Sequence, residues 1–279
     1  VTAPAPGSEP APGSEPAPGG EPAPGSVPPA RVLCVAMPAL NEEKLIRQSL
    51  QALAAQVLKD FTLVVVDNGS TDATTAIVSD FARIHPAMDV RLIHEPQKGT
   101  GAAADTGMRF GALNGARWLA RTDADCLPAP DWTLRIVEAF DDGLEMVAGQ
   151  LNPRLDEGLG RASRWLMLLA VEVASFFGRI RPGNKGEGYL GPYQMLPGCN
   201  MAITAELYLR SGGFPRTSIE DLHEDRALSN SVRKLTRAYA LRRNVVVFGS
   251  SRRVQAWGLP NTLAWYADHR FRPDHVDIR

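Results

Sequence analysis

Cysteine is scarce in this sequence, long apolar runs are missing, and net charge is almost nil. The three cysteines, Cys34, Cys126 and Cys199, are odd in number and widely spaced. That excludes a disulfide framework and a zinc knuckle and favours a reducing compartment. No histidine stands beside any of them, so each reads as a small core residue rather than a nucleophile. The longest apolar run, Trp165 to Phe177, is broken by Glu172 and is too short to cross a bilayer. The N-terminal stretch has neither the basic nor the apolar region of a signal peptide. These absences predict a soluble, cytoplasmic protein with no transmembrane segment, peripheral membrane contact staying open. A formal net charge of -1 gives no global field to draw in nucleic acid. Charge is nonetheless uneven: Arg226 to Arg279 holds eleven Arg or Lys against three acids. Such a basic quarter suits an anionic substrate or a solvated surface equally.

Of the 279 residues 44% are hydrophobic, enough for one sizeable core once the N-terminus is set aside. Residues 1–30 are almost wholly Pro, Ala, Gly, Ser and Glu, with Ala-Pro-Gly-Ser-Glu-Pro recurring at Ala5–Pro10 and Ala11–Pro16. A segment of this kind buries nothing, and its prolines block helix and sheet ladders, which predicts an extended tail. The expected organisation is that tail, a catalytic domain over 31–249 divided near 126, and a basic extension over 250–279.

Val32–Met37 is an apolar run ended by Pro38, with Asn41 as the predicted N-cap of a helix reaching Gln56 and Glu42 and Glu43 in its first turn. Phe61–Val66, Val90–Ile93 and Arg117–Thr122 read as further strands, with helices between them and at Thr100 to Asn114. Fully apolar strands alternating with helices predict an α/β fold whose parallel sheet is covered on both faces. Beyond Asp125 the pattern loosens to α+β. Helices are expected at Asp131–Phe140, Arg161–Phe177, Ala205–Ser211 and Glu224–Lys234. Strands are expected at Glu145–Leu151 and Val245–Phe248, with Leu196–Ile203 returning to the sheet and Arg181–Gln194 as a loop.

Candidate chemistry gathers at strand ends. Trp118 to Thr122 runs straight into Asp123-Ala124-Asp125. Two hard carboxylates at the C-terminal edge of a parallel strand can hold a divalent cation with substrate phosphates, although a bare pair also caps turns. Pro38-Ala39-Leu40-Asn41-Glu42-Glu43 and Asp67-Asn68-Gly69-Ser70 fall on the same edge, where Asp67 can accept from a base N–H or a ribose hydroxyl. Lys98-Gly99-Thr100-Gly101 opens a helix and offers backbone N–H groups and a positive charge to a phosphate. Gly99, Gly101 and Ala104 also fit a dinucleotide fingerprint, which keeps an NAD(P)-dependent oxidoreductase as the rival reading. Pro96-Gln97-Lys98 argues against it by separating strand from glycines. Farther on, Gly198, Asn200 and Gly212-Gly213-Phe214 precede Glu224-Asp225, whose carboxylates suit a general base or a helix start.

In this order these motifs, with Gly198-x-Asn200-Met201-Ala202, resemble family 2 glycosyltransferases from about Val32 to Phe248. The resemblance implies a GT-A fold, a nucleotide-diphosphate sugar as donor (UDP-sugar favoured) and inversion at the anomeric carbon. It implies that Pro38, Leu40, Glu42 and Asp67 line the nucleoside pocket, with Lys98 and Ala124 in the same site. Asp123 would touch ribose or metal, and Asp125 would hold Mn²⁺ or Mg²⁺ against the diphosphate. Asp225 would be the base, with Glu224 second and Asp221 the outside candidate. The late histidine that completes the metal shell in some relatives is replaced after the last strand by Ser250-Ser251-Arg252-Arg253, leaving His223, His269 and His275 as further ligand candidates. The Gln-x-x-Arg-Trp motif of processive synthases is absent, which favours transfer to a discrete small-molecule or lipid-linked acceptor. A homodimer and a nucleotide-sugar-binding protein without turnover stay open.

Overall fold

A computed structural model describes residues 31–158, 160, 162–166, 168–169, 184, 188–216 and 224–268. The expected tail, most of the expected helix Arg161–Phe177 and part of the expected loop Arg181–Gln194 lie outside these residues.

Eight strands make one sheet. They are β1 (Leu33–Ala39), β2 (Phe61–Asp67), β3 (Asp89–His94), β4 (Trp118–Arg121), β5 (Leu127–Pro128), β6 (Met146–Pro153), β7 (Met201–Thr204) and β8 (Tyr239–Gly249). Their order is β3-β2-β1-β4-β7-β6-β8-β5. The β3-β2-β1-β4 half is parallel, β7 runs antiparallel between β4 and β6, and β6 and β8 are again parallel. The described helices are α1 (Ile46–Ala54), α2 (Thr74–Ile84), α3 (Thr100–Leu113), α4 (Trp132–Asp141), α5 (Ala205–Ser211), α6 (Glu224–Arg233) and α7 (Arg252–Asp268).

Strand alternation divides the interior into two cores. Leu33, Val35 and Met37 of β1 point to one face with Phe61, Leu63 and Val65, against Ile46 and Leu50 of α1, Phe81 of α2 and Trp132 of α4. Cys34 and Ala36 point to the other face with Val64 and Val66, against Met108 of α3, Tyr208 of α5 and Leu228 of α6. Both faces are dry, which is why these strands are apolar at every position rather than at alternate ones. Each fully buried Leu, Val or Phe contributes about 1.5–3 kcal/mol.

Several boundaries differ from the sequence expectation. β1 does not stop at Pro38 but pairs through Ala39 with Asp67, since a missing N–H costs a strand end little. Asn41 is not an N-cap. It sits in the left-handed region at φ 54°, where its side chain accepts from Thr71 N–H at 2.8 Å, and α1 begins only at Ile46. The expected return strand Leu196–Ile203 starts instead with a 3₁₀ turn, Gly198–Asn200, before β7. β8 is far longer than Val245–Phe248, and the basic terminus forms α7, kinked at Gly258 and Pro260.

The β6–β8 register slips between Gly149 and Gln150. There a Cβ on Gly149 would lie 1.9 Å from the Val245 carbonyl oxygen and 2.5 Å from Asn200 Nδ2. Gly149→Ala is therefore expected to lower stability by about 2–3 kcal/mol, the upper range for overpacking against backbone. Urea unfolding reads this as a lower midpoint at unchanged slope.

Candidate active site

The carboxyl ends of β1, β2 and β4 meet at one edge, where open α/β sheets bind ligands. At the end of β2 the Asp67 carboxylate accepts from Ser70 N–H at 3.0 Å and Gly69 N–H at 3.3 Å, and lies 3.1 Å from His94 Nδ1. Burial raises its pKa, but these hydrogen bonds prevail and hold it below the usual carboxylate range. Asn68 then pins the loop before α3. Its Nδ2 donates to the carbonyls of Glu95 and Gln97, and its Oδ1 accepts from Gly99 N–H, all within 2.9 Å. Lys98 is exposed on that loop. Pro38 is buried in β1 and Leu40 half-buried just past it.

The glycines at the start of α3 do not follow β1, whose turn carries the phosphate-binding glycines of a dinucleotide fold. Gly101 instead allows close packing, since a Cβ there would fall 2.4 Å from the Pro215 carbonyl oxygen. The oxidoreductase reading loses its one support.

Beyond β4, Asp123, Ala124 and Asp125 form a tight turn. Buried Ala124 presents its carbonyl to Ser49 Oγ at 2.7 Å, so this residue fastens the turn to α1. Asp125 faces Arg252 Nη2 at 3.0 Å, and the same guanidinium holds Glu42 at 2.5 and 2.8 Å. Burial pushes the pKa of both carboxyl groups up against the pull of Arg252. The start of α7 is itself anchored. Glu157 accepts from Ser251 N–H and Oγ, and Arg154 lies 3.4 Å from Glu157 while its Nη1 donates to the Asp125 carbonyl.

On the opposite face of β4, Arg121 is almost wholly buried, at 2%. Its Nε donates to Asp123 Oδ1 at 3.0 Å, its Nη1 reaches Glu224 Oε1 at 3.2 Å, and its guanidinium carbon lies 5.1 Å from the Phe214 ring centroid. Burial alone would weaken this charge, but Asp123 and Glu224 raise its pKa. Next to Glu224, Asp225 accepts from Arg226 N–H at 2.6 Å and Gly198 N–H at 3.3 Å. Burial first and the Glu224 charge second push the Asp225 carboxyl up to about 6.

Two arginines thus join the predicted carboxylates in pairs, Arg252 holding Glu42 and Asp125 and Arg121 holding Asp123 and Glu224, with Asp225 next to Glu224 and Asp67 at the end of β2. Asp221, His223, His269 and His275 lie outside the described residues. Neither Arg121 nor Arg154 is among the residues singled out from sequence, although Arg121, a cation inside the apolar strand β4, must be paired when buried. Among the described residues no group of three or more His, Cys, Asp or Glu is arranged to hold a metal alone. A hard cation of the magnesium type commonly takes one or two protein carboxylates and completes its shell with phosphate oxygens and water. Asp123 and Asp125 are carboxylates of that type on the β4 turn, each ion-paired with an arginine, Asp123 with Arg121 at 3.0 Å and Asp125 with Arg252 at 3.0 Å, so a cation there would share or displace those contacts.

This fold has known counterparts. The mannosyltransferase PcManGT from Pyrobaculum calidifontis, solved with GDP-Man and Mn²⁺, aligns with a TM-score of 0.59 and 22% identity over 88% of this chain and 64% of that one. Glucosyl-3-phosphoglycerate synthase from Mycobacterium tuberculosis, solved with Mn²⁺, UDP and phosphoglyceric acid, aligns with a TM-score of 0.54 and 19% identity, covering 88% and 81%. The fold is GT-A. Polyprenol monophosphomannose synthase of Mycolicibacterium smegmatis is 30% identical over 161 residues, 56% of this chain and 58% of that protein. The chain spans about half the length of the curated relatives it matches. The model described as Glycosyl transferase family 2 matches residues 34–203, from β1 into β7, and so takes in the β1, β2 and β4 edge but not Glu224-Asp225. With that match across more than half of its length, the chain belongs to glycosyl transferase family 2.

Proposed function

We propose that this chain is an inverting glycosyltransferase that moves a sugar from a nucleoside-diphosphate donor, UDP-sugar being the first choice, to a hydroxyl of a discrete acceptor. Asp225 carries the reading: a carboxyl in the acceptor half whose pKa is raised to about 6, next to Glu224, which Arg121 ties to Asp123 on the β4 turn. A general base works best when its pKa lies near the operating pH. A phosphate acceptor is already ionised and needs no base, so the raised pKa favours a hydroxyl nucleophile. The mycobacterial relative is named for a polyprenol monophosphate product, so a lipid-linked acceptor stays in play beside a small molecule, and on this reading it would present a hydroxyl rather than its phosphate.

In this reading Asp67 accepts hydrogen bonds from the base or ribose, and Pro38, Leu40 and Glu42 wall the nucleoside. Lys98 and the start of α3 face the phosphates, and Ala124 holds the turn in place. Asp125, with Asp123 beside it, would hold Mn²⁺ or Mg²⁺. When bound, such an ion offsets charge on the leaving diphosphate. Arg252, already at Asp125, lends a second positive charge at that end. Asp225 takes the proton from the acceptor hydroxyl as its oxygen attacks the anomeric carbon on the face opposite the diphosphate, which inverts that centre.

A thermal-shift panel of UDP-, GDP- and dTDP-sugars with and without Mn²⁺, with NAD(H) on the same plate, tests the donor class. A donor at a hundred times its Kd should raise the melting temperature by roughly 5–10 °C, and only with Mn²⁺. Stabilisation by NAD(H) alone would contradict the assignment.

A further inference from the structure

We propose that Arg121 is a positioning residue, a single buried guanidinium that joins donor-side Asp123 to Glu224 and thereby leaves Asp225 as the proton acceptor of the acid pair. This rests on the glycosyl-transfer reading above and adds to it the reason one of two adjacent carboxylates is free to act. Arg121 ends β4, a strand otherwise made of Trp118, Leu119 and Ala120. A charge is tolerated there only with partners, and both are at hand: Asp123 at 3.0 Å on one side, Glu224 at 3.2 Å on the other. Phe214 closes the guanidinium face, which fixes the plane of the fork.

The consequence is a division of labour. Glu224 spends an oxygen on two nitrogens of Arg121, Nη1 and Nη2. It is ion-paired and held in the first turn of α6. Among the described residues Asp225 has no such partner. Its contacts are two backbone N–H groups, from Gly198 in the 3₁₀ turn and Arg226 on its own helix. The charges acting on it are Glu224, which disfavours ionisation, and Arg121, which favours it. Arg121 therefore sets both where the pair stands and how much of the Glu224 charge Asp225 feels. Because the same fork grips Asp123, the donor turn and the acceptor helix share one rigid link.

The test is the titration of Asp225 itself, read by ¹³C NMR of aspartate-labelled protein, with its resonance identified by loss in Asp225→Asn. In wild type the resonance should titrate near 6. Arg121→Gln should raise the midpoint by about one unit, and Arg121→Lys should restore most of it. Glu224→Gln should lower it by a similar amount. Where Arg121→Gln does not fold, the decision passes to Glu224→Gln against Arg121→Gln/Glu224→Gln, a background without a lone buried charge. The double variant should titrate about one unit above the single one. An Asp225 midpoint insensitive to Arg121 in both comparisons overturns the proposal. Calorimetry of wild type with UDP and Mn²⁺ separates this from the functional reading: no binding there would remove the donor assignment while the titration still judges Arg121.

Discussion

Asp225→Asn should bind UDP with Mn²⁺ as wild type does and turn over donor some 10²–10⁴ times more slowly, the range that loss of a general base brings. The amide keeps the size of the carboxylate, but its one oxygen can keep only one of the two N–H donors, Gly198 and Arg226, that the two carboxylate oxygens accept from, a local loss of about 1 kcal/mol that leaves α6 in place. It cannot take a proton. With Asp225 as the proposed base the active form is the ionised one, so kcat/KM should fall as pH drops through about 6 and level off above it. Stability should respond with the opposite sign. A carboxyl whose pKa is raised on folding resists ionisation in the native state, so its penalty is absent below the unfolded value near 4 and complete above about 6. Between pH 4 and pH 7 Asp225→Asn is accordingly expected to gain about 1–2 kcal/mol of stability on wild type, set against that pH-independent local loss. Glu224→Gln should slow turnover less. Turnover surviving Asp225→Asn but vanishing in Glu224→Gln would move the base to Glu224.

Asp125→Ala should abolish the Mn²⁺-dependent part of UDP affinity. Asp125 is the half-buried oxygen donor on the β4 turn, 21% exposed, and its charge already attracts Arg252 from α7. Without it the cation keeps Asp123 alone, which is committed to Arg121. The loss should exceed the roughly 10–100-fold that removing even a group behind a metal ligand brings. Calorimetry with UDP in Mn²⁺ and in chelator measures it. Equal Mn²⁺-dependent affinity in wild type and variant would remove Asp125 from the metal assignment.

Much of the donor half was legible because its strands are apolar at every position and its chemistry sits where they end. Phe61–Val66 leading into Asp67, and Trp118–Thr122 leading into Asp123, needed only the rule that parallel strands deliver their ends to one edge. The errors were of two kinds. Asn41 reads as a helix cap because Asn is common there, yet it bridges to Thr71 across a turn from β2, a partner 30 residues away that no local pattern reveals. The acceptor half depends on such long-range partners throughout. Arg252 reads as one of two arginines in a basic turn, and only the β8–α7 geometry sets it between Glu42 and Asp125. Arg121 was the one missed residue with a local clue, a cation inside an apolar strand. The Glu224-Asp225 pair could be named from sequence but was ordered, Asp225 before Glu224, only by the family resemblance, because the arginine that Glu224 holds has no local signature beside it.

The central claim, a base-assisted sugar transfer at this edge, is tested most directly by nucleoside-diphosphate release from the donor that calorimetry shows to bind, in wild type and Asp225→Asn with Mn²⁺ and with chelator. Release should require Mn²⁺ and Asp225 together, with wild-type rates falling below pH of about 6. Release at the wild-type rate from Asp225→Asn, or undiminished release in chelator, would contradict the account.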